Sequence, residues 1–291
     1  MRRRPFQRTH PILALPAVAL LAVFYLLPNT LNLVLGFTDW NAVRDEIRFI
    51  GLENFGRLTA DDALGRAIGI TLQFSIVTMV AQNLAALGLA LALERTSRIN
   101  GVFRTLFFVP VLISPLAAGF VFRGLLAPNG TVNGILSGIS GQEFDFPWFG
   151  SIDVTIYVVA LIQAWKGVGI TMLIYVAGLL AIPHELEEAA RVDGAGNLQV
   201  VSRIKLPLLA PALTANLVLT LIGAIGAFDV ILATTRGGPG GSTAVINLVL
   251  YQYFAQGLFG MATAVNLVLF ALILLASVPL IVYLRRREVS L

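Results

Sequence analysis

Six long apolar stretches, each bounded by charged residues or by Pro and Gly, dominate this sequence of 291 residues. A helix needs roughly 20 apolar residues to cross a bilayer core of about 30 Å, and the six stretches match or approach that length. Their approximate limits are 11–37, 68–93, 105–122, 154–182, 206–232 and 262–284. The pattern predicts an all-α polytopic membrane protein with six transmembrane helices.

The composition supports the same fold class. Hydrophobic residues make up 57% of the chain and charged residues 12%, whereas a soluble domain has about 45–50% apolar and about 25% charged residues. So few polar side chains could not cover a water-soluble globule of this size. Because no linker or low-complexity tract marks a second domain, we expect residues 1–291 to form a single transmembrane domain.

The basic residues predict the orientation, because cytoplasmic segments of membrane proteins are enriched in Lys and Arg. With the N-terminus inside, 13 of the 20 Lys and Arg residues fall in inner segments and six in outer ones, while Lys166 lies within the fourth span. Both termini are therefore predicted to be cytoplasmic. The first stretch follows a basic segment but exceeds the about 7–15 residues of a signal-peptide core, so we expect a retained helix. Basic residues spread between apolar blocks argue against nucleic-acid binding.

Residues for enzymatic chemistry are scarce. The chain has no Cys and two His, so thiol, Fe–S and His-based metal sites are not expected. Neither Lys166 nor Lys205 lies in a P-loop, and Glu188 stands where a zinc-protease H-E-x-x-H requires its second His. Asp229 is the one acid clearly within a span, too few for paired-carboxylate chemistry. We therefore expect no catalytic residues, no metal and no cofactor.

The predicted cytoplasmic loop 183–205 contains the most informative pattern. Pro183 suits the first position of a short helix, and Gly194 suits its C-terminal end. Asn197 is a good cap for a second helix, which Pro207 would end or redirect into the fifth span. The residues alone leave two interpretations open, a helix lying on the membrane or on its own bundle, and a helix that docks a partner.

The spacing of the loop is specific. Glu188-Ala189-Ala190, three residues, Gly194, nine residues, Ile204, one residue and Leu206-Pro207 resemble the EAA motif of ABC importer permeases. The segments 37–40, 49–55, 128–133 and 237–243 resemble the external loops of sugar-type permeases of the MalF/UgpA kind. The similarity extends over most of the chain, from about 11 to 285.

This resemblance implies a type I ABC importer permease in the bacterial or archaeal cytoplasmic membrane, surrounded by membrane lipid. It implies as partners two copies of an ABC ATPase, a second homologous permease subunit, an extracytoplasmic solute-binding protein and a carbohydrate substrate. The residues that it assigns to contact with the ATPase are Glu188, Ala189, Ala190, Asp193, Gly194, Ile204, Leu206 and Pro207.

Lys166 lies near the middle of the fourth span, where a cation is expensive unless it faces a cavity or a counter-ion. With Gln163 and Trp165 it is a candidate for the translocation path, and Asp229 is a candidate partner. The competing interpretation is a structural ion pair or a lysine that reaches towards the membrane surface.

Other functions remain open on the sequence alone. The substrate of an ABC permease could instead be a glycerol phosphate, a polyol or a peptide. A stand-alone secondary carrier is a further alternative, but it would need several intramembrane acids or histidines, and the spans hold few.

Overall fold

The computed structural model describes residues 14–60, 62–286 and 288. Within these residues the structure is helical, and β pairing is limited to an isolated antiparallel bridge between Thr38 and Phe49. The predicted all-α class is therefore confirmed. The basic segment before the first span, the first residues of that span and Arg287 lie outside the described residues.

The described helices are numbered in chain order. They are α1 (Leu15–Leu35), α2 (Glu53–Ala60), α3 (Asp62–Leu93), α4 (Arg98–Leu112), α5 (Pro115–Leu125), α6 (Thr131–Ser140), α7 (Thr155–Leu180), α8 (His184–Val192), α9 (Asn197–Leu208), α10 (Ala210–Ile225), α11 (Asp229–Thr234), α12 (Ile246–Ala255) and α13 (Phe259–Arg285). Short π-helical turns at Ala22–Leu26 and Val201–Lys205 lie within α1 and α9.

Four of these helices, α1, α3, α7 and α13, are long and apolar enough to cross a membrane by themselves. Two further pairs, α4 with α5 and α9 with α10, meet that criterion together but are bent by 96° and 68°. If each bent pair is one span, the described chain has six. The third and fifth spans expected from the sequence correspond to these two bent pairs.

The bend between α4 and α5 follows from Ser114-Pro115. A residue before proline is pushed out of the helical region of backbone space, and Ser114 is extended, with φ −61° and ψ 145°. Its hydroxyl accepts a hydrogen bond of 3.1 Å from the Ala117 N–H and so caps α5. The break is not visible in the hydropathy of the run 105–122, because Ser114 and Pro115 interrupt the helix without interrupting the apolar stretch.

The fifth span differs from its prediction at both ends. Pro207 was expected to end the preceding helix or to redirect it into the fifth span; the helix continues to Leu208, and the 68° change of direction comes at Leu209. A widened π turn just before Pro207 accommodates the proline, which lacks an N–H and crowds the carbonyl four residues earlier. At its C-terminal end, α10 stops at Ile225, and residues 226–228 separate it from α11.

The chain divides into two compact units. The first covers 1–61 and 250–268, of which 14–60 and 250–268 are described. In this unit the Asn54 amide donates to the carbonyls of Gly36 and Thr38 at 3.0 and 2.8 Å, and Trp40 packs on Phe259. These contacts hold the loop after α1 in a defined conformation.

The second unit covers 62–249 and 269–291. Helices α3, α7 and α10 form its centre, and α4 packs on α7. Gly169 permits that last contact, since an alanine Cβ there would lie 2.5 Å from the Phe107 carbonyl oxygen and 2.7 Å from Phe108 Cα. The buried apolar residues include Phe74, Ala86, Val159, Met172, Tyr175, Leu209 and Ile231.

Candidate functional site

Helix α8 contains the first part of the loop motif. It begins at His184, and Pro183 (φ −59°, ψ 131°) occupies the N-cap, one residue before the expected position. Glu185 and Glu187 lie in the first turn, where negative charge is stabilised by the helix dipole. The short helix predicted here is confirmed.

The C-terminal end of α8 is a Schellman turn at Gly194. The Ala195 N–H donates to the Ala190 carbonyl at 2.9 Å, and the Gly194 N–H donates to the Arg191 carbonyl at 3.0 Å. Gly194 has φ +84°, a left-handed conformation that glycine adopts without the steric penalty of a Cβ. The motif glycine therefore sets the direction in which the chain leaves α8.

The second helix of the loop, α9, begins one residue earlier than the sequence predicted. Gly196 is the N-cap, and Asn197 is the first helical residue. The Gln199 side-chain oxygen accepts a hydrogen bond of 2.9 Å from the Gly196 N–H. This bond satisfies the backbone donor of the N-cap residue, as the third-residue side chain does in a capping box.

One face of α8 is free within the described chain. Glu188, Ala189 and Val192 are exposed, with 87% of Val192 accessible. Among the described residues no ion pair reaches Glu188. An apolar residue this exposed beside small alanines and an unpaired carboxylate makes a surface that another protein can approach closely.

The motif residues fall into two groups. Those on the exposed part of the loop are Glu188, Ala189, Asp193 and Gly194. Those that are partly buried are Ala190, Ile204, Leu206 and Pro207. The first group is available to a partner, whereas Ile204, Leu206 and Pro207 belong to α9 and the beginning of the fifth span.

The opposite face of α8 meets a buried lysine that the sequence did not single out. Lys205 is 5% exposed, and its Nζ lies 2.6 Å from Glu94 Oε1 and 3.0 Å from Glu187 Oε1. Arg191 Nη2 lies 3.7 Å from the other Glu187 oxygen. The sequence placed Lys205 only in the unspecified motif position between Ile204 and Leu206, and nothing local pointed to Glu94.

A second cation binds the same end of α3. The Arg104 guanidinium donates to the Leu93 carbonyl at 2.6 and 3.1 Å and to the Glu94 carbonyl at 3.1 Å. These carbonyls have no partner inside the helix, and a cation at a helix C-terminus is favoured by the dipole. Arg104 therefore fixes the last turn of α3 next to Lys205.

Deeper in the spans, polar side chains join α3, α7 and α10. Gln82 Nε2 donates to Thr171 Oγ1 at 2.7 Å, and Asn216 Nδ2 donates to the Thr171 carbonyl at 3.1 Å. Tyr175 donates to Asn83 Oδ1 at 2.6 Å. These bonds support the sequence interpretation that Gln82, Asn83 and Asn216 link helices.

A cavity of about 220 Å³ borders this network. Gln163, one of the candidate path residues, lines it together with Gln82 and Asn216. The remaining lining residues are Thr78, Gly167, Ile170, Thr171, Ile174, Leu219, Thr220, Gly223 and Ala224. None of these lining residues is charged, and their amides and hydroxyls can donate and accept hydrogen bonds.

The other candidate path residues are not gathered at this cavity. Lys166 Nζ lies 3.4 Å from the Val111 carbonyl oxygen, and Trp165 packs edge-on against Phe122. Asp229 is exposed at the beginning of α11. The described residues show no ion pair between Lys166 and Asp229, so the pairing considered from the sequence is not formed.

Comparison with known proteins identifies the family. The model of the family described as "Binding-protein-dependent transport system inner membrane component" matches residues 84–288. This chain belongs to that family. It is a transport permease subunit and a multi-pass membrane protein, as the resemblance of the loop motif implied.

Two relatives align with nearly the whole permease. The "Probable starch degradation products transport system permease protein AmyD" of Thermoanaerobacterium thermosulfurigenes is 31% identical, covering 95% of this chain and 94% of its own. The "Trehalose/maltose transport system permease protein MalF" of Thermococcus litoralis is 30% identical, covering 94% and 92%.

A solved structure establishes the fold of the permease. A chain from the crystal structure of a bacterial ABC transporter involved in the import of the acidic polysaccharide alginate superposes with a TM-score of 0.81. It covers 94% of both chains at 24% sequence identity. The permease therefore has the fold of an ABC importer transmembrane subunit.

Proposed function

We propose that this permease is a transmembrane subunit of an ATP-driven importer in the bacterial or archaeal cytoplasmic membrane. It takes up a carbohydrate that an extracytoplasmic solute-binding protein delivers. Its proposed partners are two copies of an ABC ATPase and a second homologous permease subunit, and residues 1–291 act as one transmembrane domain.

The free face of α8 is the observation that carries this proposal. Glu188, Ala189 and Val192 are exposed beside the turn at Gly194, on the loop that the charge distribution assigns to the cytoplasm. The sequence holds no P-loop, so ATP hydrolysis requires a second protein. A short, rigid helix with one free face is a suitable element for docking that protein.

Alternating access then follows from the way α8 is attached. When two ATPase subunits close on ATP, α8 moves with the surface on which it docks. Because α8 is linked to α9 through Gly194 and to α3 through Lys205, its displacement would be passed to the second and fifth spans. These spans form the polar cavity with the fourth span.

The proposed carbohydrate substrate is supported by the cavity chemistry. Gln82, Gln163 and Asn216 present amides, which suit sugar hydroxyls because an amide both donates and accepts hydrogen bonds. The relatives named for starch degradation products and for trehalose and maltose point to the same class. A glycerol phosphate would require a cation along the path, and the lining residues of this cavity include none. Any contact of Lys166 or Trp165 with the substrate would lie outside this cavity.

The direct test is purification of the tagged permease in mild detergent from its native membrane, followed by reconstitution into proteoliposomes. We expect a P-loop ATPase and a second six-span chain to co-purify, and uptake of a labelled maltodextrin to require internal ATP and external binding protein. ADP in place of ATP is the control. A lone chain that moves solute without an ATPase would contradict the proposal and favour a secondary carrier, and uptake of a peptide or polyol instead would change the substrate class.

A further inference from the structure

We propose that Lys205, Glu94 and Glu187 form an ionic clamp that makes α8 and the inner end of α3 move as one body. The clamp consists of these three residues, and Lys205 is its positioning residue. This inference rests on the function proposed above and specifies which contact inside the permease transmits the movement of α8.

The burial of Lys205 argues that the contact is a built feature. A lysine normally keeps its ammonium group in water, yet 5% of Lys205 is exposed and its Nζ lies 2.6 and 3.0 Å from two carboxylates. A buried ammonium is stable only when it is paired and hydrogen-bonded. Arg191, close to Glu187, balances the second negative charge.

The three residues belong to three different elements. Glu94 directly follows α3, Glu187 lies in the first turn of α8, and Lys205 lies in α9 four residues before the bend at Leu209. The ammonium group therefore ties the helix with the free face to two spans at once. Removal of the Lys205 charge leaves the partly buried Glu94 without an ion-pair partner among the described residues, which disrupts the contact strongly. Removal of Glu94 or Glu187 instead leaves Lys205 paired with the other carboxylate but cuts the link to α3 or to α8.

The α3 side of the clamp is itself held in place. Arg104 binds the carbonyls of Leu93 and Glu94 at 2.6 to 3.1 Å, so the residue that carries the Glu94 carboxylate has little freedom to turn away. A force applied to α8 is consequently passed to the backbone of α3 rather than absorbed by a flexible loop.

The opposite side of the motif remains free for the partner. On α8, Glu187 faces Lys205 whereas the neighbouring Glu188 is exposed. The two consecutive glutamates therefore have different roles. Glu188 faces the docking protein, and Glu187 binds Lys205 of the permease itself. The motif specifies no residue type between Ile204 and Leu206, and the clamp assigns a role to Lys205 at this position.

The clamp is tested in the complete reconstituted importer with Lys205→Met, which removes the charge while retaining most of the side-chain volume. We expect the number of substrate molecules transported per ATP hydrolysed to fall by about threefold or more, a change typical of broken internal coupling. Lys205→Arg should retain at least half of the wild-type ratio. Arg203→Met is the matched control, because Arg203 is exposed on the same helix and has no ion pair in the described structure.

A double-variant cycle separates the clamp from general damage. Glu187→Gln alone should lower the ratio, and Lys205→Met with Glu187→Gln should be no worse than the more severe single variant, because both remove the same contact. Glu185→Gln in the same turn is the control. If Lys205→Met does not insert into the membrane, Glu187→Gln and Glu94→Gln provide the same test.

Two results would overturn the clamp while leaving the proposed function intact. One is a wild-type transport-to-ATP ratio in both Lys205→Met and Glu187→Gln. The other is a parallel loss of transport and ATP hydrolysis that follows the amount of inserted protein, as for a purely structural role. Absence of ATP-dependent uptake by the wild-type complex would instead contradict the proposed function.

Discussion

The phenol of Tyr175 on α7 donates a hydrogen bond of 2.6 Å to Oδ1 of Asn83 on α3, where both side chains are buried. The Asn83 amide in turn donates to the Met79 carbonyl at 2.8 Å and lies 3.3 Å from Thr220 Oγ1 on α10. A single asparagine therefore joins three helices of the second unit. In a membrane this bonding matters because lipid offers no replacement partner.

Replacement of Tyr175 by Phe should destabilise the permease by about 0.6 kcal/mol, and by no more than about 1.7 kcal/mol, the range measured for interhelical hydrogen bonds in a membrane protein. The ring volume is kept, so the loss reports the hydroxyl. Thermal unfolding in detergent measures it, with Tyr25→Phe as the control, since Tyr25 is 65% exposed. Equal destabilisation by the two variants would contradict a special role for the Tyr175 bond.

Gly169→Ala should destabilise the permease by more than the small size of the added methyl group suggests. The added Cβ would meet the backbone of α4 at Phe107 and Phe108, and backbone cannot rotate away as a side chain can. Overpacking of this kind costs about 1–3 kcal/mol. Gly88→Ala on α3 is the control, because nothing lies within 4 Å of its Cβ position. Similar melting temperatures for both variants would show that α4 and α7 are not in close contact.

At Gly194 the backbone conformation, rather than lack of space, should decide which residues are accepted. Its φ is +84°, and nothing lies within 4 Å of the position that a Cβ would occupy. Asn tolerates left-handed backbone far better than a β-branched residue does. We expect Gly194→Asn to retain most transport, whereas Gly194→Val and Gly194→Pro lose it although the protein still inserts. Uptake assays normalised to membrane-inserted protein measure the difference, and equal activity of Asn and Val variants would refute it.

Glu188→Lys should uncouple the importer without destabilising the permease. The carboxylate is exposed and has no ion-pair partner among the described residues, so its reversal removes no internal contact. Surface substitutions of this kind usually change stability by less than about 0.5 kcal/mol. Co-purification of the ATPase should fall together with transport, while the melting temperature of the isolated chain is kept. A Glu188→Lys variant that retains both the ATPase and normal transport would argue against docking at this face.

Asp39, in the loop after α1, should keep its charge down to unusually acidic pH. Its pKa is lowered from the ordinary 3.8, first by the hydrogen bond from the Arg48 N–H and then by the Arg44 guanidinium. Because the folded pKa lies below the unfolded one, the stabilisation is complete above about pH 3.8 and is lost as the pH falls through the folded pKa.

The adjacent Trp40 reports this titration. In a Trp148→Phe/Trp165→Phe background its fluorescence should stay constant from neutral pH down to the ordinary carboxyl pKa of 3.8 and change below it. Asp39→Asn should show the acid spectrum already at neutral pH. A transition above pH 3.8 that Asp39→Asn abolishes would reverse the predicted direction of the shift.

Much of the architecture follows from local sequence. The length of the apolar runs predicted the spans that became α1, α3, α7 and α13, with limits that differ by up to six residues. The spacing around Gly194 predicted the end of α8, because a left-handed turn after a helix requires little more than the right residue at one position. The motif was also sufficient to place the chain in its family.

The bends and the long-range pairs required the tertiary structure. Apolar content does not report backbone direction, so the hydropathy of the run 105–122 predicted a span without its 96° turn, for which the Ser114-Pro115 pair is the sequence signal. Lys166 and Asp229 looked complementary in sequence but are not paired. Lys205 and Glu94, separated by 111 residues, form an ion pair of 2.6 Å. Sequence determined which segments are long and apolar enough to cross a membrane, because hydrophobic transfer is a property of each segment alone. Only helix packing decided which charges meet, because that depends on how distant segments are brought together.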